Sequence, residues 1–221
     1  MLQPQNGQRT LSNETITEII DFWLGSSRES PETAFERRDW WYAGGSVVDD
    51  EIRARFGGFI TQARQRALMD WQATPNGALA LVVLLDQFTR NIYRSTPEAY
   101  CGDPIAFGIM EHAIENGLDK KLHPVARIWL YHPLHHAEDL SQQDRGLALL
   151  NDILRGAPGS WHPYIQRSVT GWTRHRNIVA RFDRFPHRNQ VLGRETTDAE
   201  QTFLSADGES FGQSAPPQRH A

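Results

Sequence analysis

Helix starts are written into this chain more plainly than anything else. Ser30-Pro31, Thr74-Pro75, Thr96-Pro97 and Asp103-Pro104 each put a capping side chain directly before a proline. Proline has no N–H to give and a φ already set for the first helical turn, so it suits that position and breaks a central strand. After such starts apolar residues return at 3.6-residue spacing, as Ile16, Ile19, Ile20 and Trp23 do before Gly25. No stretch alternates apolar and polar residues between hairpin turns. The fold class expected is all-α, with about eight to ten helices in a single-domain array.

The same signals set the elements. A Thr15–Glu18 capping box opens a helix that Gly25 stops, and a second helix runs from Pro31 to Gly44-Gly45. Ile52, Phe56, Ile60, Ala63, Ala67 and Trp71 mark a third, from about Val48 to Trp71, with a bend at Gly57-Gly58. Pro75 starts a helix that ends near Tyr93. Its apolar run Ala78–Leu85 rises only about 12 Å, short of a bilayer core of about 30 Å, so it belongs to a buried core. Thr96-Pro97 marks another start, and Asp103-Pro104 opens a helix reaching Gly117. Pro133 should kink or break the helix begun at His123-Pro124. Leu147–Leu154 supplies an amphipathic piece, Ser160 caps a long helix through Phe182, and a Thr197–Glu200 box opens a short helix to Leu204.

With 221 residues and no internal linker, one domain is expected over 14–204, with a flexible arm at 1–13 and a flexible tail at 205–221 rich in Ser, Gly, Gln and Pro. The formal net charge of -4 gives no general attraction to nucleic acid or membrane, so neither is expected as a partner. The one cysteine, Cys101, cannot close an internal disulfide, and the first residues lack a secretory pattern. Both point to the cytoplasm.

Two segments share a grammar. Asp86, Phe88, Arg90, Asn91 and Arg94 are echoed by Asp183, Phe185, Arg188, Asn189 and Arg194. Between Arg174 and Arg194 six arginines face a single acid, Asp183. Such a density is relieved by acids from elsewhere, for example Glu138 and Asp139, or by a bound anion. If the two corners share a site, Arg90 or Arg94 lies near enough to Arg188 or Arg194 for one phosphate-sized ligand to bridge them. The structural alternative is that each cation completes a helix end, that Phe88 and Phe185 plug the core, and that Asp86 and Asp183 pair with nearby arginines.

Asp21-Phe22-Trp23-Leu24-Gly25, Leu84 to Phe88 with Arg90-Asn91, Pro133 with His136, Glu138 and Asp139, and Phe185-Pro186-His187-Arg188-Asn189 with Leu192-Gly193-Arg194 together resemble the landmarks of the bacterial family called domain of unknown function 924. The likeness runs over about 14–204. It implies a tetratricopeptide-repeat-like helical fold, although no 34-residue repeat is visible. The family usually has a smaller residue, often glycine, where Asp183 stands, and it brings no settled activity with it.

His132, His135, His136, Glu138 and Asp139 invite a metal reading, but Pro133 interrupts the pair His132 and His136 and no second half-site is present, so no metal is expected. Cys101 has no base beside it. Gly-rich phosphate loops, nucleophile elbows and dinucleotide fingerprints are absent, and no cofactor is expected. RNA binding would need exposed aromatics beside the arginines, whereas Trp172 sits at a helical apolar position. What remains is a polar cleft that binds, and could turn over, a small anionic metabolite. Asp86, Arg90, Asn91, Arg94, Glu138, His175, Arg184, Arg188, Asn189 and Arg194 are its expected ligand contacts, with His136 and His187 as acid/base groups. The other reading is an adaptor whose concave face holds an acidic peptide or partner protein. A pocket favours the first and an open groove the second.

Overall fold

The apolar run Ala78–Leu85 is covered on every side, each of its residues at most 1% exposed. The structure, a computed structural model, describes residues 5–43 and 45–206. They form one all-α domain of ten helices, with no strand among the described residues. In order these are α1 (Gln5–Leu24), α2 (Pro31–Ala43), α3 (Gly45–Arg64), α4 (75–92), α5 (Asp103–Glu115), α6 (Pro124–Leu130), α7 (His132–His136), α8 (Leu140–Gly156), α9 (His162–Phe182) and α10 (Asp198–Ser205). Helix α4 is the centre, and α1, α3, α5 and α6 pack against it. An α-helix apolar all round has to be enclosed in this way. No helix among the described residues is long and apolar enough to cross a membrane.

The expected starts and stops hold where backbone chemistry is local. Thr74 Oγ1 accepts from the Gly77 amide ahead of Pro75, and the Thr197–Glu200 box is complete in both directions. Gly25, at φ +51°, follows α1, and Gly117, at φ +63°, follows α5. There the Leu118 amide donates to the Ala113 carbonyl, closing the helix end. Pro133 divides the expected helix into α6 and α7, with Tyr131 at the junction.

Four local expectations need correction. Helix α1 is already helical at Gln5, so much of the segment expected as an arm is helix, and Thr15 and Glu18 lie inside it rather than capping it. Preceding turns supply the partners that a cap would otherwise replace. Residues 1–4 and 207–221, which include most of the expected tail, lie outside the described residues. Helix α3 passes through Gly57-Gly58 and stops at Arg64, because Arg66 turns left-handed at φ +60° and the Ala67 amide closes back on the Gln62 carbonyl. A separate 3-10 turn, Met69–Ala73, then buries Trp71. Thr96-Pro97 starts only the 3-10 turn Pro97–Ala99. Ser160 caps nothing, since the 3-10 turn Gly159–Trp161 leads straight into α9 and no side chain caps its start.

Helix α9 ends at Asp183, whose φ of +57° is the left-handed position that glycine fills without strain. Two residues on, Phe185 is fully buried against Ile178 and Val179, with Phe182 and Phe203 beside it. This small second core fastens the 186–194 segment to α9 and α10. Truncating Phe185 to alanine is expected to cost about 3–5 kcal/mol in urea denaturation, from lost transfer energy plus an unfilled cavity.

Candidate functional site

Helix α4 does not keep α-helical register. Val83–Phe88 forms a π-helical turn, one residue wider than an α-turn, between Pro75–Val82 and Thr89–Ile92. Asp86 sits in this turn with 0% exposure. Its carboxylate accepts from Gln87 Nε2, from Arg90 Nη1 at 3.1 Å, and from His136 Nδ1 at 2.8 and 2.9 Å. The acceptor-only carboxylate fixes the His136 tautomer, with the proton on Nδ1 and a lone pair on Nε2. No described residue hydrogen-bonds that Nε2. Burial, then the Arg90 guanidinium, hold the His136 pKa well below the usual imidazole range.

The two arginine corners meet. The guanidinium carbons of Arg90 and Arg188 lie 5.5 and 4.9 Å from the same Tyr100 ring centroid. Their electrostatic situations differ. Arg90 is paired bidentately with Asp103, at 2.9 Å to each oxygen, as well as with Asp86. Burial works against its charge, but these carboxylates prevail and raise its pKa. Asp103 is therefore the partner of Arg90 and not the cap of α5, whose N-cap is Gly102 with no side-chain bond. Gly102 is required here, since a Cβ on it would lie 2.1 Å from the Leu85 carbonyl oxygen.

Arg188 is 6% exposed, and its guanidinium makes no hydrogen bond or ion pair with a described residue. Its Nε is buried without an acceptor. The group lies between the Tyr100 and Phe185 rings, 4.9 and 4.4 Å from their centroids. Burial, then the like charge of Arg90, lowers its pKa.

Several other expected ligand contacts are occupied in holding the fold. Asn91 and Arg94 both bind Asp49, Arg94 through Nε at 2.7 Å and Nη2 at 3.0 Å. Arg194 clasps Glu138 at 2.6 and 3.0 Å, and Glu138 also accepts from the Phe185 amide. Arg184 and Asn189 converge on the Glu200 carboxylate. Asp183 is exposed and answers no arginine hydrogen bond among the described residues, unlike its echo Asp86.

A cavity of about 420 Å³ opens beside this network. Its described lining contains six arginines, five histidines, seven Trp or Tyr residues and no carboxylate. Of the expected site, Arg90, Asn91, Arg94, His136, His175, His187 and Arg188 reach the cavity. Asp86 stands behind His136, while Glu138, Arg184, Asn189 and Arg194 are not among the described lining residues. Sequence reasoning missed Tyr100, Asp103, Trp41, Arg38 and Arg167. Asp103-Pro104 carried a signal, but a capping aspartate and an ion-pairing one look the same in sequence. Among the described residues no group of three or more His, Cys, Asp or Glu is placed to hold a metal ion. The histidines instead stack on aromatic rings, His132 on Trp129 at 4.2 Å and His135 on Trp172 at 4.6 Å between centroids.

A family model described as bacterial protein of unknown function, DUF924, matches residues 19–208. The chain belongs to this DUF924 family. A solved structure, that of a protein of unknown function, ATU0120, from Agrobacterium tumefaciens, is 32% identical, with a TM-score of 0.71 over 88% of this chain and 99% of that one. No curated protein matches the chain. The DUF924 match takes in both arginine corners, the π-turn and α7.

The histidines set a pH dependence. Burial lowers His132 to about 4, and His175 and His187 to about 3, and pushes His135 well down. Unfolded imidazoles titrate near 6.5, so below that pH the unfolded chain binds more protons than the folded one. Stability is therefore full above pH 6.5 and falls as pH drops towards 4, by about 1.4 kcal/mol per pH unit for each fully buried histidine in that window. Urea denaturation at pH 7, 6 and 5 is expected to show this loss, and His135→Gln to flatten it. A level profile would mean that the imidazoles are charged in the fold.

Proposed function

We propose that the cavity binds a small anionic metabolite and that Arg188 is its principal cation. The observation that carries this reading is a guanidinium removed from water with no described carboxylate bound to it, on a space whose described lining holds six arginines and no acid. A buried charge without a partner costs several kcal/mol, and a carboxylate or phosphate seated on Arg188 removes that cost by bidentate hydrogen bonding. The volume, about 420 Å³, falls in the range of small-molecule sites. A space of that size bounded by several helices suits a metabolite better than an extended acidic peptide, so the adaptor reading takes second place.

Chemistry beyond binding would pass through His136. With Nδ1–H held by Asp86, its Nε2 is the group equipped to take a proton from a ligand, and Asp86 would steady the imidazolium formed. His187 lies at the same end of the cavity, where burial and Arg188 keep it neutral.

The test compares wild type with Arg188→Lys by thermal unfolding in phosphate, sulfate and small carboxylates. Wild type is expected to gain melting temperature with at least one of these anions. Lysine keeps the charge but loses the planar fork, so Arg188→Lys is expected to lose most of that gain. Equal gains in both proteins with every anion would mark a nonspecific salt effect and remove the proposal.

A further inference from the structure

The cavity has length as well as charge. Tyr164, Arg167, Ser168, Gly171, Trp172 and His175 line it from one face of α9. From Tyr164 to His175 that face covers three helical turns, about 16 Å. The inner end is at His175, whose ring lies 5.6 Å from Phe185, the ring that supports Arg188. At the outer end, Arg167 is joined by Arg38 of α2, whose guanidinium carbon is 5.0 Å from the Tyr42 ring centroid. Both arginines act electrostatically on the Tyr42 phenol. Tyr42 is 66% exposed, which makes this end the mouth.

Arg38 and Arg167, like Arg188, make no ion pair or hydrogen bond with a described residue. Between the two cationic ends the wall is largely aromatic, with Trp41, Ile128, Trp129 and Trp172 and the neutral rings of His132 and His135 stacked on the last two tryptophans. Gly171 is midway along. A helix interior prefers alanine to glycine by about 1 kcal/mol, and a Cβ on Gly171 would meet nothing within 4 Å, so packing does not require the glycine. What its missing side chain does is leave the middle of the slot open.

We propose that the cavity takes an elongated dianion, two carboxylate or phosphate groups joined by an apolar spacer, with one end on Arg188 and the other on Arg38 and Arg167. The proposal rests on the cavity being an anion site and adds the shape and valence of the ligand. From Arg167 to His175 the helix rises about 12 Å, which sets the order of spacer length. A monoanion fills one end and leaves the other pair of arginines to solvent.

Calorimetric titration of the full chain with suberate, octanoate and inorganic phosphate tests this. Suberate and octanoate have the same carbon chain and differ in the second carboxylate. Suberate is expected to bind at least about tenfold tighter than octanoate, the worth of one well-formed charged pair. Arg167→Ala is expected to bring the two affinities to within about threefold. Gly171→Leu, which strengthens α9 while filling the slot, is expected to weaken suberate more than phosphate. Equal binding of suberate and octanoate to wild type would overturn the dianion proposal and leave the anion site standing, as would a suberate preference that survives both substitutions. No binding of any of the three would overturn both.

Discussion

A carboxylate with no access to water has to be answered by donors from the protein, and Asp86 is answered by Gln87, Arg90 and His136. Each donor has its own role. Arg90 joins α4 to the start of α5 through Asp103, and His136 joins it to α7. The relative placement of three helices around the cavity is therefore tied to one buried acid. Removing that acid would leave a buried guanidinium with half its partners and an imidazole free to rotate. The cost would appear in the geometry of the site as well as in stability.

Compensation at Arg90 throws the state of Arg188 into relief. The two arginines both contact the Tyr100 ring and come from matching sequence patterns, yet one is saturated with carboxylates and the other has none bound among the described residues. The difference lies in which acids the fold delivers. Asp103 is turned towards Arg90, Glu138 is held by Arg194, and Glu200 is taken by Arg184 and Asn189. These three acids are occupied elsewhere, Asp183 is turned out to solvent, and Arg188 is left facing the cavity.

How much could be read in advance depended on how local the cause was. Thr74-Pro75, the Thr197–Glu200 box and the glycine stops act within a turn of chain, and the helices they bound were legible. Phe185 was legible as a core anchor because charged and polar neighbours leave a lone ring little else to do. The Thr15–Glu18 pair misled because a capping pattern inside a longer helix looks no different from one at its start. In the site, the echo of Asp86 and Asp183 was real in sequence and false in role, one a buried acceptor and the other a left-handed helix end. Arg38 and Arg167 could not be found at all, since what makes them a pair is the packing of α2 on α9. No spacing in the chain encodes that contact.

The π-turn at Val83–Phe88 gives the helix one residue more than its α-helical register can use. The same residues wound as an uninterrupted α-helix would have more regular hydrogen bonding. Every side chain beyond the turn would then point about 100° away from its present direction, carrying Arg90 and Asn91 off Asp103 and Asp49. Regularity and the site are thus alternatives for this stretch of backbone. The surplus residue is a register shift stored in the middle of the core, and the alignment of the polar groups around Asp86 is what it maintains.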